Sequence, residues 1–94
     1  MVRIQHSPDF IKDLQTLLLE NPEIVKEVNE RIKWFRKKPF DNRLNNHSLR
    51  GKLSGFWAFS ITGDIRIIYM WLGKNRVRFL GIGGHSKVYR KQSH

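Results

Sequence analysis

The chain has 94 residues, 39% of them hydrophobic, which fits one small domain with one core and excludes a disordered tail. It contains no cysteine, which excludes a disulfide framework, a thiolate zinc site and a cysteine nucleophile together. Its 18 Lys and Arg against 8 Asp and Glu give a formal net charge of +10, an excess that points to a polyanionic partner.

In chain order, Val2-Arg3-Ile4-Gln5-His6 alternates apolar and polar residues, as a half-buried strand does. Ser7-Pro8-Asp9 reads as a helix start, in which serine caps, proline suits the first turn and aspartate complements the dipole. Phe10, Leu14, Leu17 and Leu18 follow at helical spacing. Asn21-Pro22-Glu23 repeats the stop-and-start chemistry. A second helix carries Ile24, Val28, Ile32 and Phe35 on one stripe and ends near Lys38-Pro39. The link is short, so the two helices form a hairpin.

Residues 40–48 are polar and Asn-rich and read as a loop. Three strands follow, over 56–61, 64–71 and 76–82, with turns at Thr62-Gly63 and Gly73-Lys74-Asn75. The order is β-α-α-β-β-β. The expected fold is a single α+β domain over 1–94, its helix hairpin packed on one face of a small, mainly antiparallel four-stranded sheet. The other face is expected to stay partly open. Trp34, Trp57 and Trp71 are assigned to the core. No apolar run approaches the roughly 20 residues that span a bilayer. The N-terminus has no apolar signal core. A cytosolic protein is expected.

The charge is sorted along the chain. Residues 1–50 hold 10 bases and 7 acids, whereas residues 51–94 hold 8 bases and one acid, Asp64. Antiparallel pairing brings Asp64 and Arg66 near Gly83-Gly84-His85. His47, Arg50 and Lys52 reach the same area if their loop folds back over the sheet. Histidine, arginine, lysine and tyrosine are what metal-free RNA cleavage needs. The 2′-hydroxyl must lose a proton, the leaving 5′-oxygen must gain one, and cations stabilise the charge that builds on phosphorus. Each candidate has a plainer alternative. His47 can be a solvated loop residue, Arg66 can pair with Asp64, and Tyr89 can be an edge aromatic. The histidines show no ligand spacing such as HExxH, so no metal site is assigned. The glycines near 81–84 form neither a GxGxxG nor a P-loop pattern, so no nucleotide cofactor is expected.

Three segments together resemble a known family. They are His47-Ser48-Leu49-Arg50-Gly51-Lys52-Leu53-Ser54-Gly55-Phe56-Trp57, Gly63-Asp64-Ile65-Arg66-Ile67-Ile68-Tyr69, and Ile82-Gly83-Gly84-His85-Ser86-Lys87-Val88-Tyr89. In this order the chain resembles toxins of the RelE/ParE superfamily over essentially its whole length, and YafQ-type members most. The resemblance implies a type II toxin that enters the ribosomal A site and cuts the bound mRNA. It also implies an antitoxin that wraps the toxin.

By position, His47, Asp64 and His85 match catalytic residues of YafQ-type enzymes, and Tyr89 matches an aromatic position. Arg66 matches the strand arginine that RelE and YoeB-type toxins set on the phosphate. Arg50, Lys52, Lys87 and Arg90 are the cations assigned to RNA. Ser60 stands where YafQ-type enzymes carry a further histidine, and YafQ itself lacks an arginine at the position of Arg66. The competing expectations are a gyrase-binding toxin of the same fold and a non-catalytic nucleic-acid-binding module.

Overall fold

The computed structural model of the chain describes residues 1–84. β1 (Arg3–His6) leads into α1 (Pro8–Glu20) and α2 (Val25–Lys37). β2 (His47–Ser48), β3 (Trp57–Ser60), β4 (Ile65–Gly73) and β5 (Arg76–Gly84) follow. Ser7 caps α1, accepting at Oγ from the Phe10 N–H at 3.0 Å, with Pro8 in the first turn and Asp9 at the positive end. The Ser7 N–H donates to the Phe79 carbonyl at 3.1 Å, which ties the cap to the sheet. A 3-10 turn, Pro22–Ile24, takes up the residues expected to begin the second helix.

The sheet has five strands in the order β1-β5-β4-β3-β2. β1 runs parallel to β5, and the remaining pairs are antiparallel. The expected four strands are therefore corrected to five. The additional strand, His47–Ser48, pairs with Ala58 and Trp57 inside the segment read as a loop. Two residues carry no alternation to read, so composition alone marked this segment as irregular.

The helices and one sheet face enclose the core. Phe10, Leu17, Val28 and Phe35 meet Phe59, Ile67, Tyr69, Val77, Phe79 and Ile82 there. Phe35 stacks on Phe59 at 4.4 Å between centroids and meets Tyr69 edge-on at 5.0 Å. Phe79 and Ile82 have opposite parity along β5, yet both are buried. Ile68 pairs with Gly81 and Tyr69 with Phe79, so Leu80 is an extra residue that resets the alternation.

One expectation about burial is corrected and one is refined. Trp34, Trp57 and Trp71 are half-buried and pack against the core from its edge. The second sheet face is closed at its centre, because Ala58 and Ile68 are fully buried yet stand outside the core cluster. Polar side chains ring that centre.

Candidate active site

Arg66 lies in β4, opposite Ser60 of β3 and Gly83 of β5. Alternation places it on the second face of the sheet, away from its buried neighbour Ile67. Its Nη1 donates to Ser60 Oγ at 3.0 Å. Its Nε is shielded from solvent and has no hydrogen-bond partner among the described residues. A half-buried guanidinium with donors to spare is suited to an anion that accepts two hydrogen bonds. Gly83, its partner on β5, is buried and places no side chain in the same row.

Asp64 precedes β4 in a turn that Thr62 closes. Thr62 Oγ1 accepts from the N–H groups of Asp64 at 3.2 Å and Ile65 at 3.0 Å. A Cβ built on Gly84 would stand 3.4 Å from Asp64 Oδ2, so the carboxylate rests against this strand end, as the pairing predicted. Asp64 and Arg66 do not pair with one another. The arginine takes Ser60 as its partner, and the ion pair among the described residues is Arg43 with Asp41 at 2.9 Å.

His47 is exposed on β2, with Nδ1 2.9 Å from the Asn45 carbonyl oxygen. A carbonyl only accepts, so this contact places the proton on Nδ1 and the free lone pair of the neutral ring on Nε2. Asn45 adopts a left-handed conformation, φ 49°, which asparagine tolerates better than most residues. Asn46 anchors the same loop, accepting from the Tyr69 hydroxyl at 2.7 Å and donating to the Pro39 carbonyl at 2.9 Å. Burial pushes the Tyr69 phenol up from its ordinary value, which keeps it a donor.

His47 pairs with Ala58, and Arg66 pairs with Ser60 two residues along β3. Both side chains therefore share one face. Strand spacing and rise put their backbones roughly 12 Å apart, which leaves room for a phosphodiester and its ribose between the side chains.

Arg50 and Lys52 lie apart from this pair. They are exposed in the connection between β2 and β3, which the Leu49 N–H closes on the Phe56 carbonyl at 2.9 Å. That connection leaves the sheet at the end opposite Asp64. His85, Lys87, Tyr89 and Arg90 lie outside the described residues. Among the described residues no group of three or more metal-ligating side chains could hold an ion.

Sequence reasoning missed the residues that hold the site. Asn45, Asn46 and Tyr69 fix the His47 loop, yet their spacing carries no signal. It also missed a basic row on the second face. Arg3 lies opposite Arg76, and Arg78 donates to Gln5 Oε1 at 3.1 Å. The signal was present in Arg3-x-Gln5 and Arg76-x-Arg78, whose period of two places them together on one face. Directly opposed like charges destabilise a sheet, and an anionic partner relieves them.

A family model described as "Bacterial toxin of type II toxin-antitoxin system, YafQ" matches residues 2–90 of this chain. The chain is 44% identical to the toxin YoeB of Escherichia coli (strain K12) over 46 residues, which is 49% of this chain and 55% of YoeB. That match spans about half the length of the curated relative. Among solved structures, a copper-bound mutant toxin from Helicobacter pylori superposes with a TM-score of 0.76 at 30% identity, over 94% of this chain and 99% of that one. YafQ from Escherichia coli superposes with a TM-score of 0.77 at 19% identity, over 95% of this chain and 99% of that one, a likeness of fold.

Proposed function

This chain belongs to the YafQ family of bacterial type II toxins, and from that premise we propose that it is an endoribonuclease that cuts mRNA in the ribosomal A site. The observation that supports this most is the pairing of two preset groups on one face. Arg66 is held by Ser60 with its Nε unpartnered, and His47 is held by a backbone carbonyl through Nδ1 with no partner at Nε2, in both cases among the described residues. This combination supplies charge stabilisation and proton transfer with no metal.

In the proposed reaction, His47 Nε2 takes the proton of the 2′-hydroxyl. Asp64, in the turn just before the strand that carries Arg66, is the alternative acceptor. The 2′-oxygen attacks the adjacent phosphorus, and Arg66 binds the non-bridging oxygens as their charge grows. His85 donates a proton to the leaving 5′-oxygen. The products are a 2′,3′-cyclic phosphate and a 5′-hydroxyl. Tyr89 stacks on a base, and Arg50, Lys52, Lys87 and Arg90 hold phosphates along the strand. A general acid or base of this kind contributes on the order of 10²–10⁴ in rate. The ribosome adds the orientation of the message.

The proposed protein partner is the antitoxin of the same system, contributing an acidic segment that covers the opposed arginines of β1 and β5. The proposed compartment is the cytoplasm, where translating ribosomes are. No helix among the described residues is long and apolar enough to cross a membrane.

The test is to map mRNA 5′ ends by primer extension during cell-free translation, with wild type beside His85→Ala. New ends at A-site codons with wild type alone support the proposal. Equal cutting by His85→Ala removes that residue from the mechanism. Intact mRNA together with inhibited gyrase supercoiling overturns the ribonuclease reading.

A further inference from the structure

Beyond α2 the chain turns back through residues 38–43 and leaves a concavity of about 700 Å³ lined by Lys37–Arg43. Phe40 stands at this turn with 58% of its surface exposed, among the largest exposed apolar side chains of the described residues. It is not an isolated ring. It lies nearly parallel to Trp71, 12° between planes with centroids 6.2 Å apart, and meets Trp57 edge-on at 5.7 Å. The indoles hold one side of the phenyl ring and leave it presenting aromatic surface to solvent.

The charges around the ring are unequal in availability. Arg43 is committed, because Nε and Nη2 donate to Asp41 at 3.1 and 2.9 Å and its guanidinium sits 3.6 Å over Trp34. Lys37 and Lys38 are exposed and have no carboxylate within ion-pair distance among the described residues. The carbonyl end of α2 points here, so the helix dipole attracts no anion; any anion must be held by these two ammonium groups.

A ring that can extend an aromatic stack, beside two exposed lysines that form no ion pair among the described residues, although Lys38 is within electrostatic reach of Asp41, is the chemistry of single-stranded nucleic acid. Bases stack on aromatic faces without regard to sequence, and ammonium groups track the phosphates. An acidic peptide would use the lysines but would gain less from a flat ring, and the bidentate arginine that suits carboxylate is already occupied.

We propose that Phe40, Lys37 and Lys38 form a second RNA-contact site, a platform for one unpaired base and its flanking phosphates. It lies on the helix side of the sheet, at the end where the Trp57 and Trp71 rings emerge, whereas Arg66 projects from the opposite face near the other end. It would anchor structured RNA while the candidate active site engages a different strand. The site does not depend on the proposed cleavage.

The test is binding of 2′-O-methylated octaadenylate, which has no 2′-hydroxyl to attack, followed by tryptophan fluorescence. The expected result is quenching whose midpoint weakens roughly 5- to 150-fold in Phe40→Ala, the worth of one base–aromatic stack. Phe40→Tyr restores binding, whereas Phe40→Leu, which keeps apolar bulk, does not. Replacing both lysines with alanine lowers the slope of log K against log salt by about 1.4. Phe40→Ala binding as tightly as wild type overturns the platform. Binding of octaglutamate with the same affinity and the same loss in Phe40→Ala also overturns it, in favour of an acidic protein partner. Loss of mRNA cutting with octaadenylate binding intact would strike the candidate active site alone.

Discussion

Ser60 and Arg66 face each other across β3 and β4, and the arginine donates to the serine at 3.0 Å. Both are positions at which the resemblance to YafQ-type toxins implies a departure from their pattern. The two positions are cross-strand neighbours. A histidine at position 60 would set a second cation-forming ring beside Arg66, whereas serine gives the guanidinium an acceptor. Ser60→Ala should leave the fold intact and slow mRNA cleavage about fivefold, the value of one ordinary hydrogen bond. Arg66→Ala should slow it on the order of 10²–10³. Single-turnover cleavage rates on programmed ribosomes measure both. Equal losses from the two variants would show that the serine does more than position the arginine.

Asn45 tests whether the His47 ring is preset by its loop. Its φ of 49° is easy for glycine and strained for alanine. Asn45→Gly should keep both stability and cleavage. Asn45→Ala should lower stability by about 1 kcal/mol, a Tm drop of roughly 4–8 °C in a domain of this size, and reduce cleavage as the carbonyl under Nδ1 moves. Thermal melts and cleavage rates on the same samples decide it; an unchanged Asn45→Ala would show that the loop does not set the ring.

Tyr69→Phe removes the hydroxyl that donates to Asn46 at 2.7 Å while keeping the ring among Phe35, Phe59 and Phe79. Stability should fall by about 1–3 kcal/mol, because a partly buried amide oxygen loses its donor. Urea unfolding reads this as a lower midpoint with an unchanged slope. A midpoint equal to wild type would mean that the amide finds another partner.

Asp41 gives a pH signature away from the site. The Arg43 side chain and N–H hold its carboxyl down at about 2, against an ordinary 3.8. A depressed carboxylate contributes above its unfolded pKa and loses that contribution as pH falls through the folded one. The clamp of Arg43 over Trp34 should therefore hold from neutral pH down to about 4 and release between about pH 4 and pH 2. Tryptophan emission should show a step in that window that Asp41→Asn lacks. A step common to both proteins would belong to general acid unfolding.

Much of this was legible in the sequence because the signals were periodic. The Ser7-Pro8-Asp9 cap, the apolar stripes ending at Phe35 and the two-residue turn before Arg76 all stand where chemistry placed them. Pairing arithmetic alone brought Asp64 and Arg66 to Gly83 and Gly84. Three features were not legible. β2 is too short to alternate. The bulge at Leu80 changes the face of Phe79 relative to Ile82 without a glycine or proline at Leu80 itself to mark it. The supports of His47 are tertiary, since Tyr69 and Asn46 lie 23 residues apart. Arg50 and Lys52, neighbours of His47 in sequence, are carried to the other end of the sheet because a hairpin reverses the chain at that point.

The most direct test of the central claim is the chemistry of the cut ends. A purified ribosome carrying a defined mRNA is mixed with the toxin, and the fragments are assayed for end groups. Attack by the neighbouring 2′-hydroxyl predicts a 2′,3′-cyclic phosphate and a 5′-hydroxyl, formed by wild type and slowed by orders of magnitude in Arg66→Ala and His47→Ala. A 5′-phosphate with a 3′-hydroxyl, or cleavage that neither variant slows, would contradict the assignment of this face as the active site.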